Sequence, residues 1–316
     1  MKKRNHLLRN IVISLLIIAA ILTGASEYFL YFALHNDNSN YSVSEKFDST
    51  KKGYPWIAEW MDSIRNNDVL RDSFIINKEG KKLHAWYVAS PKNTGNTAVI
   101  VHGYKSSSIE MFHIGYMFNH DLQWNILLPD LEAHGLSEGS TIQMGWDDRN
   151  DVMQWIRVAK GIFASDTIIV HGISMGAATT MCVAGDDNRP FVRGFIEDCG
   201  YTSVWDEFRG EMKKQFGLPA FPLLHFTSAL CKLQNGWSFS EASPLKQVSK
   251  CQKPMFFIHG DADDYVPTKM VYPLYEAKPE PKELWLAPNS THGNAYPDHH
   301  EEYTEKTRQF ISKYIK

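Results

Sequence analysis

The stretch that most constrains this chain runs from Thr167 to Ala184. Thr167-Ile168-Ile169-Val170 is a short β-branched run, the pattern of a buried strand. His171-Gly172-Ile173-Ser174-Met175-Gly176-Ala177 follows at once, and Ala177 to Ala184 reads as a buried helix of small residues. A strand that turns straight into a helix bends tightly. Gly172 and Gly176 lack the β-carbons that would clash in such a bend. Gly-x-Ser-x-Gly in this setting is the form of a nucleophile elbow, with the Ser174 hydroxyl exposed at its tip. By itself the pattern is common in small-residue loops. Its place between a strand and a helix makes Ser174 a candidate nucleophile.

A serine nucleophile needs a base, and the base needs an orienting carboxylate. The C-terminal part offers both after apolar runs. Met255 to His259 is followed by Gly260-Asp261-Ala262-Asp263-Asp264-Tyr265-Val266-Pro267. Glu283 to Leu286 is followed by Ser290-Thr291-His292-Gly293. The order is Ser, Asp, His, as in sheets that carry such an elbow. With these pieces the chain resembles the α/β-hydrolase superfamily, and within it the membrane-anchored bacterial serine hydrolases, which include esterases and serine peptidases. The resemblance covers roughly Asp72 to the C-terminus. It implies that the acid of a His-Gly-x-x-Asp-x-x-Val-Pro motif is Asp263 and that the catalytic histidine is His292. Asp198, after the sixth predicted strand, is the rival acid.

The resemblance also implies an oxyanion hole. Ala98 to Val101 is a strand, followed by His102-Gly103-Tyr104. Similar hydrolases use the N–H after His-Gly and the N–H after the serine, here Tyr104 and Met175. Such a fixed donor is worth roughly 3 kcal/mol. Without the resemblance, His102-Gly103 reads equally well as a turn after a core strand.

Two other constellations are decoys. Asp130, His134 and Ser137 lie too close in sequence to converge from separate strand ends. Similar hydrolases have a structural loop here, usually with Arg where this chain has Glu132. His299-His300 sits among Asp298, Glu301 and Glu302, with no separated partner to complete a metal shell. Neither a metal nor a cofactor is expected.

The first 35 residues differ from the rest. Lys2, Lys3, Arg4 and Arg9 precede an apolar run from Ile11 to Leu22, and Thr23 to Glu27 interrupts before Tyr28 to Leu34 resumes it. As one helix, Ile11 to Leu34 would be about 36 Å long, enough to cross a bilayer. The basic flank places the N-terminus in the cytoplasm and the remainder outside. A cleaved signal peptide, cut at Thr23-Gly24-Ala25, is the competing reading, and gives a secreted or periplasmic product. Removing residues 1–36 is expected to leave a soluble, active chain, because the candidate site lies later. Of the cysteines, only Cys231 with Cys251 suggests a pair to test. The net charge of −3 and the absence of a basic stripe argue against a nucleic-acid partner.

Beyond the anchor, Asn36 to Asp48 is polar and reads as a linker. Tyr54 to Asn66 has Trp56, Ile57, Trp60 and Ile64 spaced for one helix face. A hairpin at Ser73–Val88 precedes alternating strands and helices. This pattern predicts an α/β fold: a mostly parallel eight-stranded sheet, helices on both faces and a short helical cap. The expected segments are 1–35 as anchor, 36–71 as linker and helix, and 72–316 as the hydrolase domain. The cap is an insertion at about 201–250, whose aromatics would line an acyl pocket. The leading reading is hydrolysis of acyl esters. A serine peptidase and a non-catalytic binding module are the alternatives.

Overall fold

The computed structural model describes residues 2–92 and 94–315; Met1 and Lys316, which bound the expected end segments, lie outside it, as does Asn93. One helix, α1 (Lys2–Leu34), precedes α2 (Val43–Gly53) and α3 (Ala58–Asn66). The strands are β1 (Leu70–Ile76), β2 (Lys82–Val88), β3 (Asn96–Val101), β4 (Asn125–Pro129), β5 (Thr167–Ile173), β6 (Val192–Asp198), β7 (Met255–Gly260) and β8 (Lys282–Ala287). Between β3 and β4 lies α4 (Phe112–Tyr116); α5 (Asp148–Phe163) precedes β5, and α6 (Met175–Asp186) follows it. After β6 come α7 (Val204–Phe216), α8 (Leu223–Asn235) and α9 (Pro244–Val248). The chain closes with α10 (Val271–Ala277), α11 (Ala295–Asp298) and α12 (His300–Tyr314).

The eight strands form one sheet in the order β1-β2-β4-β3-β5-β6-β7-β8. The β1–β2 and β2–β4 pairs are antiparallel, and the others are parallel. Central strands such as Val99-Ile100-Val101 are buried on both sides, which is why they read as continuous apolar runs. Their side chains alternate. Ile100, Ile126, Leu128, Ile169, Ile196 and Phe256 join one core with residues of α3, α4 and α12. The opposite phase faces α5 and α6, which pack on β3, β4, β5 and β6.

Two expectations are corrected at the N-terminal side. The stretch expected as a linker holds the start of α2, whose first turn is capped by Ser42 accepting from the Glu45 N–H. Its one fully buried apolar residue is Phe47, packed edge-on to Phe112 at 5.5 Å, so periodicity had little to show. Pro55 opens a 3-10 turn before α3, and this turns Trp56 outward while Met61 joins Ile57, Trp60 and Ile64 inside. The single helix expected over Ile11–Leu34 lies within α1, which runs unbroken through Thr23–Glu27.

The chain divides into two compact units. The larger one, Asn36–Thr202 with Ser243–Lys316, holds the sheet. The smaller joins the chain up to His35 with Ser203–Ala242. Within it, α1 packs along α8. Leu22, Ser26, Phe29, Leu30 and Leu34 fall on one covered face of α1, at helical spacing. Phe29 and Phe32 meet the Phe216 ring at 4.9 and 5.7 Å. The Gln234 amide donates to the Glu27 carboxylate at 2.6 Å.

Candidate active site

Strand β5 ends at Ile173 and α6 begins at Met175, so Ser174 alone makes the turn. It does so at φ 59° and ψ −119°, a conformation costly for a residue with a β-carbon. The Ser174 N–H donates to the Asp198 carbonyl at 2.8 Å, which ties the turn to β6. The flanking glycines are required by close approach. A β-carbon on Gly172 would lie 2.0 Å from the Gly176 carbonyl oxygen, and one on Gly176 would lie 2.1 Å from that of Val101.

The other two predicted groups converge on this turn from the loops after β7 and β8. His292 Nε2 lies 2.8 Å from Ser174 Oγ, and its Nδ1 lies 2.7 Å from Asp263 Oδ2. Asp263 Oδ1 accepts the N–H groups of Tyr265 and Val266 at 3.0 and 3.1 Å, so the carboxylate is fixed by its own loop. His259 contributes as well. Its Nε2 lies 2.9 Å from the Val266 carbonyl and 3.3 Å from Asp263 Oδ2. Burial works to raise the Asp263 carboxyl. The hydrogen bonds from His259 and His292 outweigh it and hold the group at about 2.

Asp198 is engaged elsewhere. Its Oδ2 accepts from the Tyr303 hydroxyl at 3.1 Å, and that hydroxyl also meets His171 Nε2 at 2.9 Å. Burial pushes Asp198 up to about 6 and its neighbour Glu197 up to about 8. Glu197 keeps one bond, from the Gly200 N–H at 3.0 Å.

Gly103 lies against Ser174: a β-carbon there would come within 3.8 Å of Oγ. Tyr104 therefore begins beside the serine, and Met175 opens α6 behind it. The loop carrying Tyr104 is pinned by groups that sequence reasoning set aside. The Leu131 N–H donates to His102 Nε2 at 3.0 Å, and the Lys105 N–H donates to His134 Nε2 at 3.1 Å. Asp130 accepts from the Ser108 N–H and lies 2.8 Å from His84 Nδ1. Glu132 is buried and ion-paired with Lys81.

A cavity of about 490 Å³ opens on Ser174. Beyond the groups already named, Tyr54, Glu110, Met111, His113, Ile173 and Tyr265 line it. All belong to the sheet-bearing unit. The aromatics of 201–250, expected to line the acyl pocket, are absent from this wall among the described residues. Its side chains come from separate segments, the turn before α3, the turn and helix after β3, the end of β5 and the loop after β7; only Ile173, inside the Gly-x-Ser-x-Gly motif, and Tyr265, two residues after Asp263, stand beside a sequence signal. Glu110 adds a carboxylate, with Lys46 Nζ at 3.0 Å and the Ser107 hydroxyl at 3.1 Å. Burial lowers the His113 imidazole to about 4, and its Nδ1 lies 2.8 Å from the Glu110 carbonyl.

The four cysteines are free and buried, so Cys231 and Cys251 are not bonded. Cys199 Sγ lies within 4.8 Å of ligand atoms of Asp263 and His292, a grouping that coincides with the serine site.

A mostly parallel sheet carrying these groups on the loops after β5, β7 and β8 is the architecture of the α/β hydrolases. The profile of the Prolyl oligopeptidase family matches residues 138–316, and the chain belongs to that family. YqkD of Bacillus subtilis is 31% identical over 226 residues, covering 71% of this chain and 74% of its own. Among solved structures, the Pyrococcus furiosus esterase Pf2001 superposes with a TM-score of 0.64 at 21% identity, over 80% of this chain and 96% of that one. Est1E of Butyrivibrio proteoclasticus, solved with ferulic acid bound, gives 0.60 at 20% identity, over 77% and 99%. At these identities the two esterases speak for the fold alone.

Proposed function

We propose that this α/β hydrolase is a serine hydrolase of acyl esters. The observation that carries the reading is the unbroken chain Ser174 Oγ–His292–Asp263, with contacts of 2.8 and 2.7 Å. His292 Nε2 takes the Ser174 proton as Oγ attacks the ester carbonyl. Asp263 holds the Nδ1–H and stabilises the imidazolium. The N–H groups of Tyr104 and Met175 receive the oxyanion. His292 then hands its proton to the leaving alkoxide, and a water molecule, activated the same way, releases the acid. No cofactor takes part in this scheme. Met111, Ile173, Tyr54 and Tyr265 supply the apolar wall for a small to medium acyl group.

A serine peptidase is the second reading, favoured by one observation. Glu110 places a carboxylate in the cleft, suited to a substrate amine. Lys46 neutralises much of that charge, which weighs toward esters. The purified protein, offered p-nitrophenyl esters of increasing chain length beside aminoacyl anilides, should favour an ester by kcat/KM. Anilide turnover equal to or above the best ester would replace the first reading with the second. A binding module would turn over neither.

The same reading makes α1 a single-pass anchor, with a cytoplasmic N-terminus and the hydrolase outside. His6–Leu34 is long and apolar enough to span. Signal cleavage after Ala25 is the competing reading, and it would leave Ser26-Glu27-Tyr28-Phe29-Leu30-Tyr31-Phe32 as an apolar mature start in water.

A further inference from the structure

Helix α8 has a covered face and, opposite it, an exposed apolar stripe. Leu224, Thr227, Ser228 and Cys231 form its buried side. Phe226, Ala229, Leu230 and Leu233 recur at helical spacing on the other side. Phe226 is 45% exposed and Leu233 is 82% exposed. The turn before α8 continues this surface, with Leu218 exposed and Phe221 73% exposed. Exposed Lys213 and Lys214 stand just ahead of it on α7. A contiguous exposed apolar stripe flanked by polar residues such as His225 and Lys232 marks a contact surface for a membrane or another molecule.

The length of α1 decides between water and lipid around this surface. Its freely exposed apolar part is Ile11 to Ile21, about 16 Å of helix, against about 30 Å of bilayer hydrocarbon. Counting from Leu7 across Arg9 extends it only to about 22 Å. The rest of the span comes from residues after Leu22, where α1 is packed on α8. A bilayer thick enough to hold α1 therefore surrounds part of α8 too. The Gln234–Glu27 hydrogen bond gives the one carboxylate of this stretch a partner close to the polar boundary.

We propose that the insertion is itself seated in the membrane, with the Phe226–Leu233 stripe of α8 and the Leu218–Phe221 turn in the acyl-chain and headgroup boundary of a phospholipid bilayer. The inference rests on the reading of α1 as a span. Seating of this kind combines apolar burial with basic residues at the polar edge, as Lys213 and Lys214 provide.

The test uses the full-length protein in phosphatidylethanolamine–phosphatidylglycerol vesicles. Single cysteines at Phe226→Cys, Leu233→Cys and Ile17→Cys carry an environment-sensitive fluorophore; the native thiols are buried. Lipids bearing nitroxides at a shallow and at a mid-chain depth act together as the quencher, and each variant is accepted only with an unchanged thermal midpoint. All three labels should lose most of their emission. A quenched label at Ile17 with unquenched labels at 226 and 233 overturns the seating while leaving the anchor intact, whether that stripe faces water or a second copy of the chain. An unquenched label at Ile17 removes the anchor and the seating together.

Discussion

Two imidazoles share one oxygen of Asp263, His292 at 2.7 Å and His259 at 3.3 Å. This arrangement gives Asp263 a role that its acidic neighbours lack. Asp261 is exposed and accepts the Asn289 N–H at 2.6 Å, and Asp264 is exposed. Asp263→Asn should therefore cut kcat by orders of magnitude, as wrong-tautomer changes do elsewhere, by roughly 10⁴. Asp261→Asn and Asp264→Asn should stay near the wild type. Equal losses across the three would remove Asp263 from its assigned role. His259→Gln should fall between them, lowering kcat with little change in KM, because His259 holds the carboxylate and lines no part of the cleft.

At the scale of elements, strand ends carry the candidate groups and also an internal cost. The end of β6 buries Glu197, whose carboxyl is raised by burial from 4.5 to about 8. Between those values the folded chain keeps a proton that the unfolded chain releases. Stability therefore falls as pH rises through that window. Glu197→Gln keeps the acceptor for Gly200 and removes the titration. Thermal midpoints from pH 5 to 8.5 should decline more steeply for wild type than for the variant; parallel curves would count against a buried, protonated Glu197. The central strands were legible in the sequence because burial on both faces leaves uninterrupted apolar runs, while β1 and β8, exposed or half-buried along most of their length, showed only short apolar runs. Helix α2 was not legible, since Phe47 and Thr50 are its only buried residues. The segment Ile109–Asp121 is a 3-10 turn, α4 and a π-turn in succession, a change of pitch that composition does not encode.

At the scale of the whole molecule, Ser174, Asp263 and His292 could be found because local motifs mark strand ends. The cleft walls and the surroundings of the insertion could not, since they depend on contacts between distant segments. The packing of α1 on α8 joins residues some 200 positions apart, as Glu27 and Gln234 do. It also revises one expectation. Deleting residues 1–36 removes the partner of α8 and exposes the surface under Leu22, Phe29 and Leu30. The truncated chain should aggregate or unfold at lower temperature than the full chain in detergent, as read by light scattering and thermal melts. A monomeric truncation of undiminished midpoint would show that the insertion does not depend on α1. The central claim, a nucleophilic Ser174, is tested most directly by mass spectrometry after fluorophosphonate treatment of the full-length protein. The adduct should sit on the peptide containing Ser174, and Ser174→Ala should lose both the adduct and turnover, by roughly 10⁴ to 10⁶, while staying folded. An adduct on another residue, or turnover within a factor of about ten of wild type in Ser174→Ala, far above what loss of a triad nucleophile leaves, would contradict it.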